Sequence, residues 1–406
     1  MERGPESRMV LFSFPLPRTC FSRCWTLDAQ CYNPFGFTQA TARAAPIVPR
    51  LCSSFNWYAP GASLAPWGDM ATLPASSPDV TVIVVTWNSA AYLPLCLQAL
   101  TAQSYRDFEV VIADNASSDG SVDGLAASYP GLQLRVERLD SNRGFAAANN
   151  VAAAIARGRW LALLNPDAYP DSDWLEQLVK AANSTPKSFF ACRQIQVGRP
   201  RLLDGEGDLY HISGLALRRN FNFPVFGGAQ PREVFSACAA AALYPRQQFL
   251  DAGGFDEDYF AYHEDVDLGF RLRLRGLKCI YIPAAVVHHV GTASTGAKGY
   301  ISTYYGHRNL VWTYVKDMPK PWFWIYLPLH LAVDLLTIPY FMLSGRGRAI
   351  WRAKIDALRG LPAALKKRAA IQAQRSVPPA EVLGVMSRNP FAPLSGWVAR
   401  HYPPLD

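Results

Sequence analysis

Residues 80–89 read VTVIVVTWNS. Residues 80–85 are all β-branched and form one continuous run, the pattern of a strand buried on both faces of a parallel sheet. Working outward, residues 89–104 (SAAYLPLCLQALTAQS) place Leu93, Leu97 and Leu100 on one helical stripe, with Ser89 expected as the N-cap. Residues 108–121 (FEVVIADNASSDGS) read as a second buried strand that ends in polar turn residues. A helical stretch, a strand around 132–139 and an Ala-rich helix (RGFAAANNVAAAIARG, 143–158) follow. Residues 159–170 (RWLALLNPDAYP) form another apolar strand, which stops at Asn165-Pro166-Asp167. This βαβαβ alternation predicts a doubly wound, mostly parallel α/β sheet, whose ligands bind at the carboxyl ends of the strands. Thr86, Asp114 and Asp167 all fall at that edge, so a site is expected there.

The chain has 406 residues, half of them hydrophobic, which is ample for a buried core. Its net charge of +8 is uneven: from Ser344 onward there are 11 Lys and Arg against 3 Asp and Glu, while the first 343 residues balance. A basic tail suits an anionic membrane surface. No nucleic-acid motif accompanies it, so nucleic acid is not expected as a partner. Residues 322–343 (WFWIYLPLHLAVDLLTIPYFML) are long and apolar enough to span a bilayer, but Pro328, His330, Asp334 and Pro339 interrupt them. A shallow interfacial hairpin or re-entrant segment is expected, with the basic helices beyond it on lipid headgroups. Cys20, Cys24, Cys31 and Cys52 crowd the N-terminal segment, whereas Cys96, Cys192, Cys238 and Cys279 are isolated and read as reduced, buried thiols. Residues 1–75 have no period and no secretory h-region. They read as a disordered or mis-started segment, with a natural start near Met70. Residues 76–315 then form the α/β domain, 316–376 an apolar and basic helical membrane-associating region, and 377–406 a tail.

The polar stretches suggest chemistry. In ADNASSDGS, Asn115, Ser117, Asp119 and Gly120 match the first, third, fifth and sixth positions of a calcium loop, but Ala126 stands where a bidentate Glu is required. An acid at a strand end before small polar residues suits a nucleotide instead, since the Asp114 carboxylate can accept the ring N–H of uracil or thymine. No phosphate-binding Gly-rich motif occurs, which excludes the usual NTPase and dinucleotide sites. Asp167, after a buried strand and a Pro-fixed turn, can hold one hard cation against a nucleotide diphosphate, with a further ligand available from VVHHVG (286–291).

Residues 256–276 read DEDYFAYHEDVDLGFRLRLRG. A helix starting near Glu264 carries acids in its first turn, where the helix dipole favours them. Asp267 and Arg271 form an i,i+4 pair and read as structural. Glu264 and Asp265 follow aromatic residues directly, and packing against rings raises a carboxylate's pKa and makes it a better base.

The order of these motifs, with ACAAAALYPRQQFLDAGGFDEDYF (237–260) and YYGHRNLVWTYVKDMP (304–319), resembles the inverting family-2 glycosyltransferases of the GT-A fold, in particular the rhamnosyltransferase type that builds bacterial cell-surface polysaccharide. The resemblance runs from about Val80 to Ala370. It implies a nucleotide-diphosphate-sugar donor, a glycan or lipid-linked acceptor, Mg2+ or Mn2+, and work at the cytoplasmic face of the inner membrane. It implies that Thr86 and Asn88 line the nucleotide, that Asp114 meets the pyrimidine, and that Asn115 and Ser117 belong to the same nucleotide loop. Arg143 and Gly144 would border the donor and Asn149 would shape its site. Asp167 matches the last acid of the metal motif, whose first acid is Asn165 here. Asp265 matches the catalytic base beside Glu264, His289 (or His288) the later metal or diphosphate ligand, and Arg308 and Asn309 a pair near the diphosphate. Rhamnose from a thymidine-diphosphate donor is the first expectation. Two rivals remain: a nucleotidyltransferase, which needs a Gly- and Lys-containing loop that TWNSAAYL lacks, and a non-catalytic sugar-nucleotide-binding membrane scaffold, against which Asp167, Asp265 and His289 argue. Sugar choice is expected from LLDGEGDLYHISG (202–214), through Asp204, Glu206 and His211.

Overall fold

The computed structural model describes residues 77–291 and 299–392. The expected N-terminal segment with its four cysteines, the end of the VHHVGTAST motif and residues 393–406 of the expected tail lie outside the described residues.

Strand β1 (Val80–Thr86) is buried along its whole length, and so is β2 (Phe108–Asp114), with helix α1 (Leu93–Thr101) between them. A short α2 (Leu125–Ser128) leads to β3 (Leu134–Arg138), and α3 (Gly144–Ile155) leads to β4 (Trp160–Leu164). β3, β2, β1 and β4 pair in that order and all in parallel, as the β-branched runs demanded. The two faces of β1 explain why its run is continuous. Val80, Val82 and Val84 enter one core with α1, while Ile83 and Val85 enter a second core with α3. Helix α1 starts later than its stripe suggested. Ser89 does not cap it with its side chain; its carbonyl accepts from Tyr92 and Leu93, and Pro94 occupies the first turn.

Beyond β4 the sheet changes character. After β5 (Ala168–Pro170) and α4 (Trp174–Ser184) come β6 (Ser188–Gln196), β7 (Arg199–Gly205), the ribbon β8 (Asp208–Tyr210) and β9 (Ala216–Arg218), then β10 (Arg232–Val234) and β11 (Ala241–Pro245). β11 slots between β4 and β6 antiparallel to both, so the parallel order holds in the first half and the second half is mixed. Helix α5 (Arg246–Asp251) and a 3-10 turn (Glu257–Tyr259) precede α6 (Glu264–Leu274), whose start at Glu264 is as expected. α6 divides its faces by helical spacing: Leu268 and Leu272 join the α3-side core, whereas Val266, Phe270 and Leu274 join a third cluster. Strand β12 (Lys278–His289) completes the sheet beside β6.

The C-terminal helices are α7 (Tyr300–Asp317), α8 (Trp322–Leu343), α9 (Gly347–Arg359), α10 (Leu361–Ala373) and α11 (Pro379–Gly384); α7, α8 and α11 supply buried residues of the third cluster together with α6, Tyr210 and Phe235. α8 is one 22-residue helix with Pro328 and Pro339 inside it, so the expected hairpin does not form. At about 1.5 Å per residue it measures roughly 33 Å. Phe323 and His330 face the protein, while Trp324, Ile325, Leu329, Leu331, Leu335, Leu336 and Leu343 are exposed. Cys96, Cys192 and Cys279 are buried free thiols as expected, and Cys238 is half-buried.

Candidate active site

The carboxyl ends of β1 and β2 place Thr86 and Asp114 directly across from each other, both buried. The Thr86 hydroxyl has no hydrogen-bond partner, although a buried polar group ordinarily requires one. The Asp114 carboxylate accepts from Ser117 N at 3.1 Å. Asn88, with φ 50°, locks the loop after β1 to the loop after β2: its N–H donates to Ser117 Oγ at 2.9 Å, and its side-chain oxygen accepts from Ser118 N at 2.8 Å. Asn115 is buried and fastens a third loop, donating to Gly144 O at 3.1 Å and accepting from Arg143 N at 3.2 Å. Arg143 itself is exposed and reaches Glu257 at 3.4 Å. The three loops expected around a nucleotide are therefore one hydrogen-bonded unit. Asn149 is not part of that rim; it is buried and donates back to Phe145 O in its own helix at 2.9 Å.

A second group forms where β4 ends. Asn165 N donates to Ala240 O, and Asp167 emerges after the turn. Residue pairing of β12 with β5 sets His289 opposite Ala168, so His289 Nε2 faces Asp167 Oδ1 at 3.4 Å. The alternation of the strand sends His288 outward to Asp171 at 3.2 Å, which selects His289 over its neighbour. The other ring nitrogen, Nδ1, lies 2.8 Å from Asp204 Oδ2, and Arg218 pairs with that same carboxylate. Burial alone would lower the His289 pKa, but hydrogen bonds to Asp167 and Asp204 carry it above the ordinary value. Burial likewise opposes ionisation of Asp204, yet Arg218 and His289 bring its pKa down to about 2. Among the described residues no three His, Cys, Asp or Glu side chains converge to hold a metal. Asp167 and His289 nevertheless offer a carboxylate oxygen and an imidazole nitrogen facing each other, a donor pair that suits one divalent cation completed by substrate oxygens.

The third group is the first turn of α6. Asp265 Oδ2 accepts from Ala239 N at 3.0 Å and Oδ1 accepts from Val266 N at 2.8 Å. Burial raises its pKa despite these bonds. Glu264 is buried, its Oε2 has no partner, and burial followed by the nearby Asp265 charge pushes its pKa well up. The strap Ala239-Ala240 connects the groups, since Ala239 holds Asp265 and Ala240 holds the Asn165 turn. Asp267 is structural as expected: it pairs with Arg271 at 2.6 Å and also with Lys316, fully inside the protein.

Residues 81–249 match the model of glycosyl transferase family 2. The chain carries a family-2 glycosyltransferase domain. It is similar to N-acetylglucosaminyl-diphospho-decaprenol L-rhamnosyltransferase of Mycobacterium tuberculosis, 26% identical over 307 residues that cover 69% of this chain and 97% of the relative. It is also similar to the O-antigen biosynthesis protein RfbC of Myxococcus xanthus, 28% identical over 229 residues, 52% of this chain and 17% of that protein. A crystal structure of GalNAc-T7 with UDP, GalNAc and Mn2+ shares the fold, with a TM-score of 0.50 and 15% identity over 61% of this chain and 49% of that one. The protein is a glycosyltransferase of GT-A architecture, of the kind that acts in cell-surface polysaccharide synthesis.

Two expectations about the glycosyltransferase's site are corrected by its geometry. Asn309 is fully buried, and its amide donates to Tyr259 O, Ala261 O and Tyr262 O rather than toward a diphosphate. Arg308 is spent alongside it on Asp258 O at 2.6 Å and Tyr259 O at 3.1 Å, and packs over the Trp312 ring. Glu206 and His211 are not free to choose a sugar either. Glu206 accepts from Asn220 at 2.6 Å and Tyr281 at 2.8 Å and pairs with Arg232, while His211 bonds to Ser213 at 2.8 Å. The sequence reading missed Arg218, Asp208 and the Ala239 strap. Asp208 is buried, accepts from Ser236 Oγ at 2.8 Å, and has its pKa pushed well up by burial and then by Asp265. The alternating acids of LLDGEGDLYH were the available signal, but nothing local paired them with Asp265 or His289.

Proposed function

We propose that this glycosyltransferase moves L-rhamnose from a thymidine-diphosphate donor to the sugar of a polyprenyl-diphosphate acceptor, with inversion at the anomeric carbon. The observation that carries the reading is the Ala239-Ala240 strap, which sets a half-buried base, Asp265, beside the Asn165–Asp167 turn that faces His289. The Mycobacterium tuberculosis relative supports the choice of sugar and acceptor.

Inversion requires one in-line displacement and one base. The acceptor hydroxyl oxygen forms a bond to C1 as the C1–O bond to the diphosphate breaks, and the hydroxyl proton passes to Asp265. The bonding pair leaves with the nucleoside diphosphate. Ala239 N and Val266 N hold the Asp265 carboxylate in place for that proton. Asp114 and the unpartnered Thr86 hydroxyl receive the pyrimidine and its ribose at the strand edge. Asp167 and His289 would hold a Mg2+ or Mn2+ ion, which when bound neutralises charge on the departing diphosphate; Mn2+ accompanies UDP in the GalNAc-T7 structure.

A polyprenyl acceptor places the reaction at a membrane, and we assign it to the cytoplasmic face of the inner membrane. The exposed apolar side of α8, with Arg348, Arg352 and Arg359 on the adjoining α9, supports interfacial docking on anionic lipid. The test is transfer of rhamnose from its thymidine-diphosphate donor to a short-chain polyprenyl-diphosphate N-acetylglucosamine. Wild type should form product, and Asp265→Asn should lose on the order of 10²–10⁴-fold in kcat with donor affinity kept. Full turnover by Asp265→Asn would remove the base from this reading.

A further inference from the structure

The turn that delivers the acids of α6 is built against backbone preference. Phe260, Tyr262 and His263 have φ of 64°, 69° and 69°, a left-handed region that non-glycine residues rarely occupy. Three such residues in four positions persist only where surrounding contacts over-determine them. Those contacts come from two sides. From α3, Ala146 N donates to Phe260 O at 3.2 Å. From α7, the single Asn309 amide reaches Tyr259 O at 3.1 Å, Ala261 O at 3.0 Å and Tyr262 O at 2.7 Å. Arg308 Nε donates to Asn309 Oδ1 at 2.9 Å, which fixes the amide so that its N–H groups face the turn. Tyr305, one helical turn before Asn309, stacks on Phe260 at 5.1 Å.

We infer that Asn309 is a positioning residue: it holds the Tyr259–His263 turn in its left-handed course and thereby aims Glu264 and Asp265 from the start of α6. The turn is held from α7 as well as from α3, whose Ala146 N–H meets Phe260 O. Tyr259 O also accepts from Ala261 N at 2.7 Å and from Arg308 at 3.1 Å, while the one buried Asn309 amide reaches Tyr259 O, Ala261 O and Tyr262 O together. Neither Ala, which has no donor, nor Asp, which presents acceptors to carbonyls, can replace it. Glycine accepts φ near +65° without cost, so glycine at Tyr262 relieves the demand on Asn309.

That the aimed group is a base rests on the function proposed above; the clamp itself does not. The full chain is therefore tested in two independent ways. Hydrogen exchange of a peptide covering 257–266 should rise at least tenfold in Asn309→Ala, with exchange in β1 and β2 unchanged. In the rhamnosyl-transfer assay kcat should fall tenfold or more while donor Kd stays within twofold, and Asn309→Ala combined with Tyr262→Gly should recover much of both. The inference is overturned if 257–266 stays protected in Asn309→Ala, or if exchange rises equally throughout the domain. It is also overturned if Tyr262→Gly restores nothing in a double variant with wild-type far-UV circular dichroism. If wild type transfers no rhamnose, the substrate reading fails and the exchange result still decides the clamp.

Discussion

His289 stands between two carboxylates, with Nδ1 2.8 Å from Asp204 and Nε2 3.4 Å from Asp167. A carboxylate behind an imidazole fixes its tautomer and makes the outward nitrogen a better ligand. Asp204→Asn should therefore weaken divalent-cation binding about 10–100-fold. Titration of Mn2+ into the nucleotide-bound protein, followed by electron paramagnetic resonance, measures this directly. An unchanged Mn2+ affinity would separate Asp204 from the cation site.

Glu264 predicts a pH effect. Its pKa is raised in the folded protein, so the native state keeps this proton to higher pH than the unfolded chain does. The favourable contribution is complete below the ordinary glutamate value of 4.5 and is lost as pH rises toward the folded value. Glu264→Gln removes the ionisation, so its Tm should exceed that of wild type by a margin that widens between pH 5 and pH 8. Scanning calorimetry across that range is the check, and a margin that narrows with pH contradicts the assignment.

Gly144 couples the donor loop to the acid turn. Its φ is +86°, and a Cβ there would sit 2.5 Å from the Phe260 ring and 2.6 Å from Phe260 O. Gly144→Ala should cost at least about 1–2 kcal/mol from the left-handed backbone alone. Urea unfolding should show that loss, and turnover should fall as Phe260 is driven from its place.

The apolar side of α8 makes a binding prediction. Leu335 and Leu336 are among its most exposed residues. The full chain should float with vesicles containing phosphatidylglycerol, and Leu335→Lys with Leu336→Lys should reduce the bound fraction several-fold while leaving Tm unchanged, since neither side chain is buried. Equal flotation of the double variant would place membrane contact elsewhere.

Local pattern was enough to define the donor half of the molecule. The β-branched runs of β1 and β2, the Pro-fixed turn at Asp167 and the first turn of α6 each declare themselves within a dozen residues, because side-chain period and turn chemistry are short-range properties. Motif order then pointed to the family and, through it, nominated Asp265 and His289. What escaped was everything made by contact between distant segments. Asp204 lies 85 positions from the histidine it orients, and Asn309 about 50 from the carbonyls it holds. The continuous course of α8 through Pro328 and Pro339 was likewise not legible from its local pattern. Spacing along a chain shows which side chains can share a face; which of them meet is settled by how the sheet and the C-terminal helices close on one another.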